Sequence, residues 1–129
     1  MRQLIAVLLT CAAGAAPAQD FGPAERNFFI HCSGCHGEDA RGGGPVSFIL
    51  DTTPPDLTKL AEQNGGVFPL ARVVFRIDGR DPVTAHTEMP EFGAALEGAT
   101  VMLKAETGQP VMTTEAIAGL VRWLEAAQR

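Results

Sequence analysis

Five consecutive residues, Cys-Ser-Gly-Cys-His at positions 32–36, restrict the possible structures of this chain more than any other segment. Two intervening residues let a single helical turn carry both sulfurs on one side, with the imidazole of His36 directly after them. C-x-x-C-H is the spacing at which two thiols bond the vinyl groups of a haem and the histidine ligates its iron. We therefore predict one covalently bound haem c, attached through Cys32 and Cys35 and ligated by His36.

Two other uses of paired cysteines fit the sequence less well. A thioredoxin-like dithiol follows a β-strand, whereas residues Pro23 to Ile30 have the pattern of a helix. A structural zinc ion needs four ligands, and besides the motif the chain has only His31 and His86 as histidines. A colour that persists after denaturation would separate a covalent haem from both alternatives.

The N-terminus has the pattern of an export signal. Arg2 precedes the apolar run Leu4 to Leu9, and small residues at positions 16 and 18 offer a cleavage site before Gln19. We predict a signal peptide at 1–18, a single mature domain at 19–129 and a periplasmic location. A lipoprotein acylated at Cys11 is the alternative, because residues 8–11 loosely resemble a lipobox.

Charge and hydropathy limit the partners. Without the signal peptide, nine Lys and Arg stand against fifteen Asp and Glu, a formal charge of −6. Such a chain is not expected to bind nucleic acid or anionic membranes. Because Lys59 and Lys104 are its only lysines, we expect redox partner proteins that dock through a basic surface. No later segment approaches the roughly 18 to 20 apolar residues of a transmembrane helix.

The remaining pattern predicts short helices separated by Gly and Pro, and hence an all-α fold. The first helix begins near Pro23, carries Ala24, Phe28 and Cys32 at helical spacing, and leads into the motif. The loop containing Gly42-Gly43-Gly44-Pro45 bends tightly after it. Further helices are expected over Leu57–Gln63 and from Pro69 to Asp78, the latter with Leu70, Val73, Val74 and Ile77 as its apolar stripe. A last helix follows Thr114, which caps it, and runs through Ala127. A helical turn is expected at Ala94–Leu96 and a short extended segment at Thr100–Leu103.

The second axial ligand decides the chemistry of the iron. We predict Met89, because Pro90 follows it in a loop that can hold the thioether rigidly. His86, Met102 and Met112 remain alternatives, although Met102 has the neighbours of a core residue. The ring of His36 also needs a hydrogen-bond acceptor for its other nitrogen, and a backbone carbonyl near Pro45 is a candidate. Arg72 and Arg76 are expected to pair either with surface acids or with haem propionates.

Taken together, five features resemble the class I monohaem cytochromes c of bacteria: the helix before the motif, the Pro45 loop, the Asn64-Gly65-Gly66 turn, Met89-Pro90, and a last helix containing Trp123. The resemblance implies a small cytochrome c-like domain of short helices packed around the haem. It implies that the first and last helices cross, bringing Phe28 close to Leu120 or Leu124. It also implies Met89 as distal ligand and, for the His36 nitrogen, the Pro45 carbonyl.

The expected function is electron transfer without an enzymatic activity of its own. With His36 and Met89 on the two faces of the iron, the metal changes oxidation state with little change in coordination. The protein would serve as a free periplasmic carrier or as the cytochrome subunit of a respiratory or dehydrogenase complex. The alternative is an open distal site, as in a haem-based sensor or a peroxide-reacting protein.

Overall fold

Four α-helices and a two-stranded antiparallel sheet make up the part of the chain that the computed structural model describes, residues 22–81 and 88–129. The helices are α1 (Gly22–His31), α2 (Ser33–His36), α3 (Leu70–Asp78) and α4 (Glu115–Ala126), and the strands are β1 (Thr100–Lys104) and β2 (Pro110–Thr114). Three 3₁₀ turns lie at Ser47–Ile49, Leu57–Lys59 and Glu62–Asn64. The predicted signal peptide, Cys11 and His86 lie outside the described residues.

The core forms where α1 packs against α4. Ala24 and Phe28 are the buried residues of α1, as the predicted helical spacing requires. The ring of Phe28 lies 4.7 Å from that of Trp123, centroid to centroid. A Cβ on Gly119 would lie 3.8 Å from the Cβ of Ala24, so the missing side chain lets the two helices approach closely. The predicted contact between the first and last helices is confirmed, and the residue of α4 whose ring meets Phe28 is Trp123.

Helix α3 also packs against α4. The predicted apolar stripe is confirmed, because its four residues are the buried residues of α3. The helix ends at Asp78 and is capped by Gly79, whose φ of 87° is readily adopted only by glycine. Of the two arginines on the flanking face, Arg72 is exposed and Arg76 pairs with Asp81 at 3.2 Å.

The hairpin of β1 and β2 shows that the prediction of an all-α fold is wrong. The extended segment predicted at Thr100–Leu103 is strand β1, whereas its partner β2 falls in a stretch for which the sequence predicts no strand. Leu103, Val111 and Thr113 face inward. Because β2 has only two inward residues and begins with a proline, it carries little of the alternation by which strands are recognised.

Two local predictions are also corrected. The helix predicted over Leu57–Gln63 is two separate 3₁₀ turns, the second of which ends at Gly65 with a φ of 69°. Met102, predicted in the core, is 64% exposed and lies directly opposite Met112 on the outer face of the hairpin. Side-chain direction in a strand alternates, so apolar neighbours in sequence do not show which face a residue takes.

Candidate functional site

The backbone presents both cysteines and His36 on one turn. The N–H of Cys32 donates to Phe28 O at 2.8 Å, which carries the helical path of α1 into the motif. The carbonyl of Cys32 then accepts from the N–H groups of Cys35, at 3.1 Å, and His36, at 2.9 Å. Cys32 and Cys35 are free thiols and half-buried, whereas His36 is buried. The predicted attachment residues are thus close together because a single helical turn carries them.

The glycine-rich loop after the motif caps this turn. Gly42 N donates to His36 O at 2.7 Å, Gly44 N to Cys35 O at 3.0 Å, and Val46 N to Gly34 O at 2.9 Å. These bonds satisfy carbonyls that a helix end leaves without partners. A Cβ on Gly44 would lie 2.5 Å from Ser33 O, so only glycine allows this approach. The tight bend predicted here serves the backbone of the motif itself.

The imidazole of His36 is held by a backbone carbonyl. Its Nδ1 lies 3.3 Å from Pro55 O, and because a carbonyl can only accept, the proton is on Nδ1 and the lone pair is on Nε2. Burial lowers the pKa of His36, against a smaller opposing effect of the Pro55 carbonyl, so the ring is neutral at pH 7. A neutral imidazole with a free Nε2 lone pair is the form that ligates a metal.

The acceptor is therefore Pro55 rather than Pro45. Pro45 is exposed and lies in the turn between Gly44 and Val46. The ring of His36 points instead toward the chain that returns nineteen residues later. The residues at this point are Pro54 and Pro55, whose rings restrict their φ angles and make the backbone rigid. Because they are far from the motif along the chain, the sequence did not predict their contact with His36.

The Cys32 thiol lacks the lowered pKa of a reactive cysteine. Burial, together with the neighbouring Cys35, raises the pKa of Cys32 to about 11. A thiolate that attacks disulfides instead has a pKa below that of free cysteine. Residues 22–81 and 88–129 contain no group of three or more His, Cys, Asp and Glu placed to hold a metal ion. The raised pKa of Cys32 counts against the dithiol alternative.

Met89, the predicted distal ligand, borders the hydrophobic core. It is half-buried and packs against the hydrophobic core. The residues beside it are anchored on both sides, since Glu88 accepts from Thr52 N at 3.2 Å and Phe92 N donates to Ile77 O at 2.8 Å. The ring of Phe92 lies 5.9 Å from that of His31, the residue before the motif.

The alternative distal ligands are placed differently. Met102 and Met112 are 64% and 49% exposed and face outward from the hairpin. His86 lies outside the described residues. His31 is half-buried, and its ring contacts that of Phe92.

Three apolar residues that follow the glycine-rich loop in the chain are exposed. Val46, Phe48 and Ile49 are 39%, 84% and 68% exposed. Large apolar side chains clustered at a surface indicate a ligand or a contact partner. Two free thiols, a neutral imidazole and this apolar cluster are a donor set and surface that fit a covalently bound haem.

No family model, curated protein or solved structure matches this chain. The similarity to cytochromes c therefore rests on the motifs of the sequence. Across the described residues, no helix combines the length and apolarity needed to cross a membrane.

Proposed function

We propose that this protein transfers electrons through one c-type haem, attached to Cys32 and Cys35 and ligated by His36 and Met89. The observation that carries the proposal is the state of His36. Its imidazole is buried, its Nδ1 is engaged by Pro55 O at 3.3 Å, and its Nε2 remains for a metal on the same turn as two thiols. Such a backbone acceptor on a ligating histidine sets the orientation and the basicity of the ring.

Each residue has a separate task in this proposal. Cys32 and Cys35 form thioethers and hold the group covalently, which explains why a thiol with a raised pKa is no disadvantage. Met89 offers a neutral thioether, which favours the reduced metal. The haem supplies a reversible one-electron couple. Apolar residues packed against a bound haem would exclude water, and this would disfavour the extra positive charge of the oxidised state.

The proposed setting is the periplasm, where the chain acts without an enzymatic activity of its own. Its acidic character and its two lysines favour a partner with a basic docking surface. A free carrier and a subunit of a larger respiratory or dehydrogenase complex are both compatible with that surface. Isolation from the native periplasm separates them, because a subunit co-purifies with its enzyme and a free carrier does not.

An optical spectrum of the oxidised and the reduced mature protein tests the proposal. We expect a low-spin haem spectrum in both states, and colour that remains with the polypeptide after denaturation. The double variant Cys32→Ser/Cys35→Ser should lose the covalent haem, whereas Met102→Ala, on the exposed face of the hairpin, should keep it. A colourless mature protein whose cysteines are free or bonded to each other contradicts the proposal.

A further inference from the structure

Gln128, two residues after α4, is hydrogen-bonded to three backbone groups. Its Oε1 accepts from Ala61 N at 2.9 Å, and its Nε2 donates to Leu57 O at 2.7 Å and to Leu124 O at 2.8 Å. The amide thus uses its oxygen toward a donor and its nitrogen toward two acceptors, the only orientation that satisfies all three. One side chain therefore ties the end of α4 to the segment after Pro55.

Arg129 strengthens the same connection. Its N–H donates to Thr58 O at 3.1 Å, and its Nε donates to Thr58 Oγ1 at 2.8 Å. Thr58 N in turn donates to Asp56 Oδ1 at 2.9 Å. We call Gln128 and Arg129 the C-terminal clamp, because together they hold the chain from Asp56 to Ala61.

The motif loop holds this segment from the opposite side. Leu57 N donates to Ala40 O at 2.8 Å. A Cβ on Gly42 would lie 2.6 Å from Pro54 O, so the two backbones touch there. Leu57 is thus fixed at both its N–H and its C=O. Pro55 O belongs to the peptide bond between Pro55 and Asp56. Because the ring of Pro55 fixes its φ, this carbonyl can turn only through ψ of Pro55, which also moves the residues that follow. Holding Leu57 in place therefore limits how far the carbonyl can turn.

We infer that Gln128 is a positioning residue for His36, acting through Leu57 and the carbonyl of Pro55. The Nδ1 to Pro55 O distance of 3.3 Å is at the long end for a hydrogen bond, so a small displacement of the carbonyl weakens it. The consequence for redox properties rests on the proposed function. In a haem-bound protein, loosening the C-terminal clamp would weaken the hydrogen bond from Nδ1, and the imidazole would then donate its Nε2 electron pair less strongly to the oxidised metal.

The test compares full-length holoproteins. Gln128→Ala removes all three side-chain hydrogen bonds, and Gln128→Met removes them while keeping the length and neutrality of the side chain. The control is Gln63→Ala, which truncates an exposed glutamine of the neighbouring 3₁₀ turn. In the reduced protein, we expect the Nδ1 proton of His36 to exchange about fivefold to tenfold faster in the Gln128 variants, the factor that one lost hydrogen bond produces. Their midpoint potential should rise, and Gln63→Ala should match the wild type.

One outcome overturns the inference. If the amide of Ala61 exchanges faster in Gln128→Met while the His36 proton and the midpoint potential keep their wild-type values, the clamp stabilises the chain end only. Should Gln128→Ala not accumulate, Gln128→Met decides alone. If the mature wild-type protein carries no haem, the proposed function fails, and the exchange of the His36 Nδ1 proton still decides whether Gln128 positions the ring.

Discussion

At the scale of single residues, the three described methionines considered as distal ligand differ in burial. Met89 is half-buried among core residues, whereas Met102 and Met112 point outward. A thioether ligand must be held in place without water competing for the metal, so burial separates these three methionines. Their sequence contexts did not separate them fully, because Met102 also has apolar neighbours.

Met89→Ala is expected to leave the haem covalently attached and to open the distal face of the iron. The midpoint potential should fall, on the order of 0.1 V or more, because axial ligands set haem potentials over a range of about 0.8 V. Redox titration and carbon monoxide binding to the reduced protein measure both effects. Met102→Ala is the matched control. An unchanged spectrum and potential in Met89→Ala would assign the distal ligand to another residue.

The hydroxyl of Thr113 is expected to lower the stability of the fold. Its hydroxyl is buried in the hairpin and has no hydrogen-bond partner within the described structure. Thr113→Val keeps the shape and removes the unsatisfied group, so the free energy of unfolding should rise by about 1 kcal/mol. Thr114→Ala should lower it by about 1 kcal/mol, because Thr114 Oγ1 accepts from Ile117 N at 3.2 Å and caps α4. Urea denaturation of the two neighbouring variants checks both signs; a loss in Thr113→Val would contradict this account.

At the scale of elements, the turn carrying the motif is stabilised by the glycine-rich loop on its C-terminal side. Gly44 packs directly on the backbone of Ser33 and Gly34, and no rotation of a side chain can relieve a Cβ placed there. Gly43 next to it has open space around its Cα. Gly44 is therefore required because a side chain has no space there, whereas Gly43 is favoured only because its φ is positive.

Gly44→Ala should lower the free energy of unfolding by about 3 kcal/mol or more, as expected for a backbone clash that must displace the motif turn. Gly43→Ala, with a φ of 69° but no contact within 4 Å, should cost about 1 kcal/mol. Thermal denaturation and the yield of haem-bound protein report the difference. Equal losses in the two variants would show that the close approach to the motif is not required.

The packing of α1 on α4 provides a second test at this scale. Phe28 is 2% exposed and contacts Trp123, whereas the adjacent Phe29 is 59% exposed on the same helix. Phe28→Ala should destabilise the fold by about 3 to 5 kcal/mol through the cavity it leaves. Phe29→Ala should change stability by less than about 0.5 kcal/mol. Chemical denaturation of the pair measures the ratio, and similar losses would mean that this helix packs by another face.

At the scale of the whole molecule, residues 19–129 carry a formal charge of −6, from which we predict that oppositely charged partners are attracted. With a cationic redox protein, the second-order rate constant of electron exchange should fall on the order of tenfold as ionic strength rises from low to high. An anionic redox protein of similar potential is the control, and its rate constant should rise instead. Stopped-flow measurements decide, and a cationic partner insensitive to salt would contradict electrostatic docking.

The sequence by itself determined the features that are encoded locally. Spacing along the chain predicted four of them, because helical geometry relates residues three and four apart. They are the motif turn, the burial of Ala24 and Phe28, the apolar stripe of α3, and the cap of α4 at Thr114. The prediction of haem attachment also came from local spacing.

Only the tertiary structure decided the contacts between distant segments. It assigned the acceptor of His36 to Pro55, paired β2 with β1, split the helix predicted over Leu57–Gln63, and placed Gln128 against Leu57. None of these can be derived from a period along the chain. Each depends on which backbone groups meet after the helices pack, and a hydrogen bond between residues nineteen or seventy-one positions apart leaves no repeating pattern in the sequence.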